Sequence, residues 1–266
     1  MKQFLFITDL DDTLVPQNPA MAVDNDPAMV KLNQRLERHR QQHATKIVYS
    51  TGRSLFLYQE LHKKQKERQK ELLQPDILIC AVGTEIYSYK DKDKLTLNSK
   101  WSDHLSEAWD RELVEKISAA FTKLKLQPES EQRPLKVSYL LEEKFAEQIV
   151  PELKHSLLEQ KLDIQVIYSG GKDLDILPRK ANKGMAMTFV RENLEIDVAQ
   201  TVACGDSGND IALFADREEK GIIVGNAKKE LLDWHNANLN PNRHLAKAKF
   251  AAGIEEGLEY FGFLEG

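Results

Sequence analysis

Short apolar runs that stop abruptly at polar residues recur along the chain. Phe4–Thr8 (FLFIT), Lys46–Ser50 (KIVYS) and Asp76–Val82 (DILICAV) each read as a strand without polar alternation. Leucines at 32 and 36 among charges predict an amphipathic helix over Met29–His43, and Ser54 can cap a helix reaching about Leu73. Continuous apolar strands separated by helices indicate a parallel sheet covered on both faces. The rhythm returns late. Asn182 can cap a helix to about Asn193, Thr201–Cys204 is a strand, Asp210–Ala215 is helical, Gly221–Val224 is a strand, and Ala246–Phe261 is a last helix.

The middle has a different pattern. Lys90–Ser99 is polar and turn-like, and Asp103–Leu126 carries a long helical pattern. Leu135–Leu141 and Ile164–Ser169 read as strands with a helix over Glu143–Leu162 between them; Asp173–Leu177 (DLDIL) reads as another strand, ended by Pro178. The prediction is an α/β protein. Residues 1–88 and 179–266 form a parallel-sheet core, and 89–178 form an inserted α+β domain.

Composition narrows the choices. At 266 residues the chain makes one large domain or two small ones. With 37 basic and 42 acidic residues its net charge is −5, which argues against a nucleic-acid partner while leaving a locally basic site for an anionic substrate open. Cys80 and Cys204 lie in apolar runs and read as buried reduced thiols of a cytoplasmic protein. The N-terminal apolar run is too short for a signal peptide, and no apolar run is long enough for a membrane span. The basic run at 62–71 pairs Lys63 with Glu67, and Glu67 with Lys70, at helical spacing, so it reads as a solvated helix face.

The candidate chemistry sits at strand ends. Asp9, Asp11 and Asp12 follow the first strand; Asp206 and Asp210 follow the late strand within GDSGND. Ligands of open parallel sheets bind beyond the carboxyl ends of the strands. Acids at such junctions often do no more than cap the next helix. Two acidic clusters aimed at one sheet edge repel each other unless a cation lies between them, and an all-oxygen set suits Mg²⁺. Thr51 ends the second strand, where its hydroxyl and the following N–H groups can hold phosphoryl oxygens, and Lys183 opens a helix, where dipole and ammonium favour an anion.

DLDDT (9–13), TGR (51–53), Lys183 and GDSGND (205–210) resemble the four motifs of the haloacid dehalogenase-like phosphatase superfamily. Within it, AVGTEIY (81–87), KVSY (136–139), SGGKDLDILP (169–178) and NKG (182–184) are similar to the cyanobacterial and plant sucrose-phosphate phosphatase family. The resemblance implies a Rossmann-like core with an inserted α+β cap. It implies that Asp9 is the nucleophile forming an aspartyl phosphate, that Asp11 is the acid and base, and that Thr51 and Lys183 hold the phosphoryl group. Mg²⁺ would be bound by Asp9, Asp206 and the carbonyl of Asp11, with Asp210 in support. Gly52, Arg53, Glu85, Lys136, Lys172, Asp173, Asp175 and Asn209 would meet the substrate, and Asp12 would be structural. The implied reaction is hydrolysis of sucrose 6-phosphate, with sucrose-phosphate synthase as an expected partner. The alternatives are a mannosyl- or glucosyl-3-phosphoglycerate phosphatase, or a general sugar-phosphate phosphatase.

Overall fold

A computed structural model of the chain describes residues 2–265 apart from Gln69, Glu71, Lys92, Asp93 and Ala108. The chain opens with β1 (Leu5–Thr8), α1 (Pro19–His43), β2 (Lys46–Ser50), α2 (Leu55–Glu67) and β3 (Ile77–Cys80), then doubles back in β4 (Glu85–Asp91) and β5 (Lys94–Leu97). Helices α3 (Ser99–Ser106) and α4 (Arg111–Ser118) lead to β6 (Lys125–Leu126), β7 (Val137–Leu140), α5 (Glu143–Glu159), β8 (Ile164–Ser169) and β9 (Asp173–Pro178). The chain returns through α6 (Lys183–Asn193), β10 (Thr201–Gly205), α7 (Ile211–Phe214), β11 (Lys220–Ile223), α8 (Lys229–Ala237), β12 (Arg243–Leu245) and α9 (Phe250–Tyr260).

Among the described residues the larger sheet has eight strands, in the order β12-β11-β10-β1-β2-β3-β4-β5. Its first six are parallel; β4 and β5 join antiparallel. Alternate strand residues face opposite layers. Phe4, Phe6, Ile47 and Tyr49 pack with Leu32 and Leu36 of α1 and with Ile254 and Leu258 of α9, whereas Leu5, Ile7 and Val48 pack with Met187 and Val190 of α6 and with Trp101 of α3. Both cysteines are buried and unbridged. From β1 the chain runs outward one way through β2 and β3, and from β10 the other way through β11 and β12. The β1/β10 pair is therefore the switch point where an open α/β sheet leaves a crevice for ligands.

The smaller sheet, β6-β7-β9-β8, is wholly antiparallel. On one face Val137, Tyr139, Leu174 and Ile176 pack with Val114 of α4 and with Leu153 and Leu157 of α5. The two-residue strand period sends the register partners Ser138 and Asp175 to the other face.

Several boundaries differ from the sequence expectation. Lys90–Ser99 holds the end of β4 and all of β5, with Lys92 and Asp93 outside the described residues, and Trp101 and Leu105 then pack in the core of the large sheet. Both strands pair within the large sheet, β4 with β3 and β5 with β4. The long helix over Asp103–Leu126 is broken because Asp110 caps a new one, its carboxylate accepting the Leu113 N–H at 3.0 Å. Helix α1 starts before Met29 because Asn18 caps it and Pro27 is carried inside it. Helix α2 ends at Glu67 instead of running to Leu73; two residues of the basic run, Gln69 and Glu71, lie outside the described set. Among the described residues no helix is long and apolar enough to cross a membrane. The architecture is an α/β, Rossmann-like core carrying a second, antiparallel sheet.

Candidate active site

Asp9 follows β1 directly, and its N–H donates to the Cys204 carbonyl of β10 at 3.0 Å, which sets it beside Asp206. Lys183 is the first residue of α6, whose start is capped by Asn182 accepting from the Met185 N–H at 2.8 Å. A Cβ on Gly184 would lie 1.8 Å from the Ala212 carbonyl oxygen, so glycine alone lets α6 press onto α7. The fully buried Lys183 ammonium donates to Asp9 Oδ1 at 2.7 Å and to Asp210 Oδ1 at 2.6 Å. Asp210 Oδ2 accepts the N–H groups of Asp206 and Ser207 at 3.0 and 3.1 Å. Thr13 Oγ1 donates to Asp206 Oδ1 at 2.9 Å.

Asp9, Asp206 and Asp210 each place a carboxylate oxygen within 4.8 Å of the others. Among the described residues, these three buried carboxylates share one buried ammonium. The surplus charge shows in their proton affinities. Burial pushes the Asp9 carboxyl up to about 7, with Asp210 and Asp11 adding to the rise and Lys183 opposing it. Burial pushes Asp206 up to about 9, helped by the charges of Asp210 and Asp9. Burial works against the Lys183 ammonium, yet Asp210 and Asp9 hold it above the ordinary lysine value. Such a buried, all-oxygen and charge-unbalanced donor set fits a hard divalent cation.

The TGR loop is held from behind. Ala81 and Val82 adopt φ of 50° and 60°, unusual for residues with side chains. From that turn the Ala81 N–H donates to the Arg53 carbonyl at 2.8 Å and the Val82 N–H to the Thr51 carbonyl at 3.1 Å, which links local backbone strain to the site loop. Thr51 is buried, and its hydroxyl accepts the Arg53 N–H at 3.1 Å. The Arg53 guanidinium grips both oxygens of Asp11, at 2.7 and 2.6 Å.

A cavity of about 670 Å³ lies between the two sheets. Asp9, Asp11, Gly52, Arg53, Asp206 and Asn209 line it from the large sheet, and Lys136, Lys172, Asp173 and Asp175 from the small one. The structure thus brings ten of the sequence-predicted residues to one space. Thr51, Lys183, Asp210 and Glu85 do not line it. The first three stand behind the wall near Asp9 and Arg53. Glu85 is buried elsewhere, accepting from Arg133 Nε at 2.7 Å and from the Tyr87 hydroxyl at 3.0 Å.

In the small sheet, the buried Lys136 donates to Asp175 Oδ1 at 3.1 Å, and the Ser138 hydroxyl donates to the same oxygen at 2.6 Å. Gln127 Nε2 donates to Asp173 Oδ1 at 3.1 Å. Burial raises the Asp173 carboxyl, with Lys172 opposing. Sequence reasoning missed Gln17, Gln127, Glu131, Ser169 and Lys228, all of which line the cavity. Asp12 lines it too, tied by Lys228 Nζ at 2.9 Å and by the Gln17 N–H at 2.9 Å. Contacts tie the small sheet's segment to the core. Ser54 Oγ donates to Glu131 Oε1 at 3.0 Å, and Glu230 Oε1 accepts the N–H groups of Gly170 at 3.1 Å and Gly208 at 3.4 Å.

The family described as sucrose-6F-phosphate phosphohydrolase matches residues 2–262. The probable sucrose-phosphatase 2 of Arabidopsis thaliana is 40% identical over 267 residues, covering 97% of this chain and 60% of the relative. Sucrose-phosphatase 2 of Nicotiana tabacum is 38% identical over 261 residues, covering 96% of this chain and 58% of the relative. The chain therefore spans less than two thirds of the length of these relatives. The X-ray structure of the sucrose-phosphatase of Synechocystis sp. PCC6803, in complex with sucrose and phosphate, is 36% identical with a TM-score of 0.86, covering 98% of this chain and 99% of that one.

Proposed function

Since the chain belongs to the sucrose-6F-phosphate phosphohydrolase family, we propose that it hydrolyses sucrose 6-phosphate to sucrose and phosphate. The observation that carries this is one cavity with a carboxylate–lysine cluster buried at one end and a set of carboxylates, lysines and amides from the small sheet at the other. The first suits phosphoryl transfer. The second mixes donors and acceptors, as sugar hydroxyls require. The small sheet with α4 and α5 serves as the cap, over residues 110–178.

In the first half-reaction an Asp9 oxygen attacks phosphorus in line, the bond from phosphorus to the sugar oxygen breaks, and that oxygen takes the proton of Asp11. Sucrose leaves and an aspartyl phosphate remains. Asp11, now a carboxylate, takes a proton from the water that attacks phosphorus, and Asp9 is freed with inorganic phosphate. Lys183 orients Asp9 and, with the Thr51 hydroxyl, offsets phosphoryl charge. Because Arg53 holds both oxygens of Asp11, the incoming phosphate or sugar must draw the guanidinium away before Asp11 can deliver a proton. Asp9, Asp206 and the Asp11 carbonyl would hold Mg²⁺, with Asp210 orienting Lys183 beside them; when bound, the ion supplies the positive charge that lets a carboxylate approach a phosphate dianion.

One feature favours an uncharged leaving group over a phosphoglycerate. A glycerate carboxylate in the cap half would meet Glu131, Asp173 and Asp175 against one lysine, Lys172, since Lys136 is already paired with Asp175. A phosphate-release screen with and without Mg²⁺ tests the proposal over sucrose 6-phosphate, hexose 6-phosphates, glycosyl phosphoglycerates and p-nitrophenyl phosphate. The expected result is Mg²⁺-dependent release, fastest from sucrose 6-phosphate. Preference for a phosphoglycerate ester, or equal rates on all, would replace the substrate assignment with one of its alternatives.

A further inference from the structure

Glu230 stands outside the reaction centre, in the first turn of α8, yet it touches both halves of the cavity. One of its oxygens, Oε1, accepts from two backbone amides that belong to different sheets' loops. Gly170 N–H lies 3.1 Å away in the turn between β8 and β9; Gly208 N–H lies 3.4 Å away in the loop that joins Asp206 to Asp210. The β8–β9 turn carries Ser169 and Lys172 into the cavity. Its two glycines, with φ of +60° and +70°, adopt a left-handed path that side chains resist.

The two loops also press together directly. A Cβ on Gly208 would stand 3.0 Å from the Tyr168 carbonyl oxygen and 3.0 Å from Glu230 Cγ. The tip of the small sheet therefore rests on the catalytic loop, with one carboxylate oxygen shared between them. An ionised acceptor makes stronger hydrogen bonds than a neutral one, and withdrawal of the turn would give up one of the two.

We propose that Glu230 is a positioning residue. It couples the seating of the Lys172-bearing turn to the order of the Asp206–Asp210 loop, so the sugar end of the cavity is assembled in register with the phosphoryl end. The proposal rests on the reading that the small sheet supplies the sugar site.

Two variants and two readouts test it. Glu230→Ala removes the shared acceptor; Glu230→Gln keeps an oxygen acceptor and removes the charge. Hydrogen–deuterium exchange is followed in peptides covering residues 168–172 and 206–210, and kinetics are measured with sucrose 6-phosphate and p-nitrophenyl phosphate. In the Ala variant both segments should exchange faster together. KM for the sugar ester should rise about tenfold with kcat changing less, while kcat/KM for the aryl ester falls by less than about threefold. The Gln variant should recover most of the sugar-ester efficiency. Unchanged exchange in either segment, equal losses on both esters, or a Gln variant as impaired as Ala would overturn the coupling. If the wild-type protein shows no preference for sucrose 6-phosphate, the substrate reading fails on its own, and the exchange rates still decide the role of Glu230.

Discussion

Two buried lysines stand beside the same cavity and differ in their company. Lys183, at the core end, bonds Asp9 and Asp210 while Asp206 stands in the same cluster. Lys136, at the cap end, bonds Asp175 in a one-to-one pair that a serine hydroxyl completes. Both are buried amines with carboxylate partners, so burial and pairing alone do not separate their functions. The charge balance does. A surplus of buried carboxylates must hold protons or take up a cation, and under the proposed function it marks the place where phosphorus would be met. A balanced pair is stable by itself and presents fixed polar atoms, which under the proposed function would meet a neutral sugar.

The sharpest way to break this contrast is Asp9→Asn. The amide cannot form an acyl phosphate, and kcat should fall on the order of 10⁶-fold with an unchanged far-ultraviolet circular dichroism spectrum. Retained turnover, once deamidation is excluded by mass spectrometry, would remove Asp9 from its role. Lys183→Met should abolish activity and also cost about 3–5 kcal/mol of stability, because two buried carboxylates lose their partner. Adding Asp210→Asn should recover part of that loss in thermal melts; strict additivity would mean that the pair does not interact.

At the cap end, Lys136→Met should lower kcat/KM for sucrose 6-phosphate by about 10²-fold and leave p-nitrophenyl phosphate within about threefold. Equal losses would erase the distinction between the two lysines. The smallest expected effect concerns pH. Without a cation the folded chain holds protons on Asp9 up to about 7 and on Asp206 up to about 9, whereas both carboxyls ionise near 3.8 when unfolded. The fold thus binds more protons than the unfolded chain over that window, and the cation-free protein should lose stability as pH rises through it. Mg²⁺ should raise the melting temperature, by about 2.7 kcal/mol of added stability at a hundredfold excess over Kd, and more at about pH 8.5 than at about pH 6. A shift independent of pH would show that these acids do not ionise when the ion binds.

The same contrast explains what could be read from the chain beforehand. Asp9, Thr51, Lys183 and Asp206 each sit at the end of an apolar run or the start of a capped helix, so local pattern reports their place. Glu131, Gln127 and Lys228 sit in polar stretches with no periodicity and reach the cavity only through tertiary packing. Arg53 was legible as a site residue but not as the partner of Asp11, since a guanidinium beside Thr51 serves phosphate, sugar or carboxylate equally well. Strand β5 has no apolar signature because it is an edge strand and need not be apolar, and the break at Asp110 has none because one capping carboxylate splits what otherwise reads as continuous helical periodicity.

The small sheet comes from one unbroken stretch of chain, Lys125 to Pro178, whereas Asp9, Asp206, Asp210 and Lys183 come from the stretches on either side. In evolutionary terms this makes the molecule easy to retarget. A single recombination event confined to that stretch would exchange the small-sheet half of the cavity lining and leave Asp9, Lys183 and Asp206 as they are. Under the proposed function, much of the ester preference would then be inherited on a different segment from the phosphoryl chemistry.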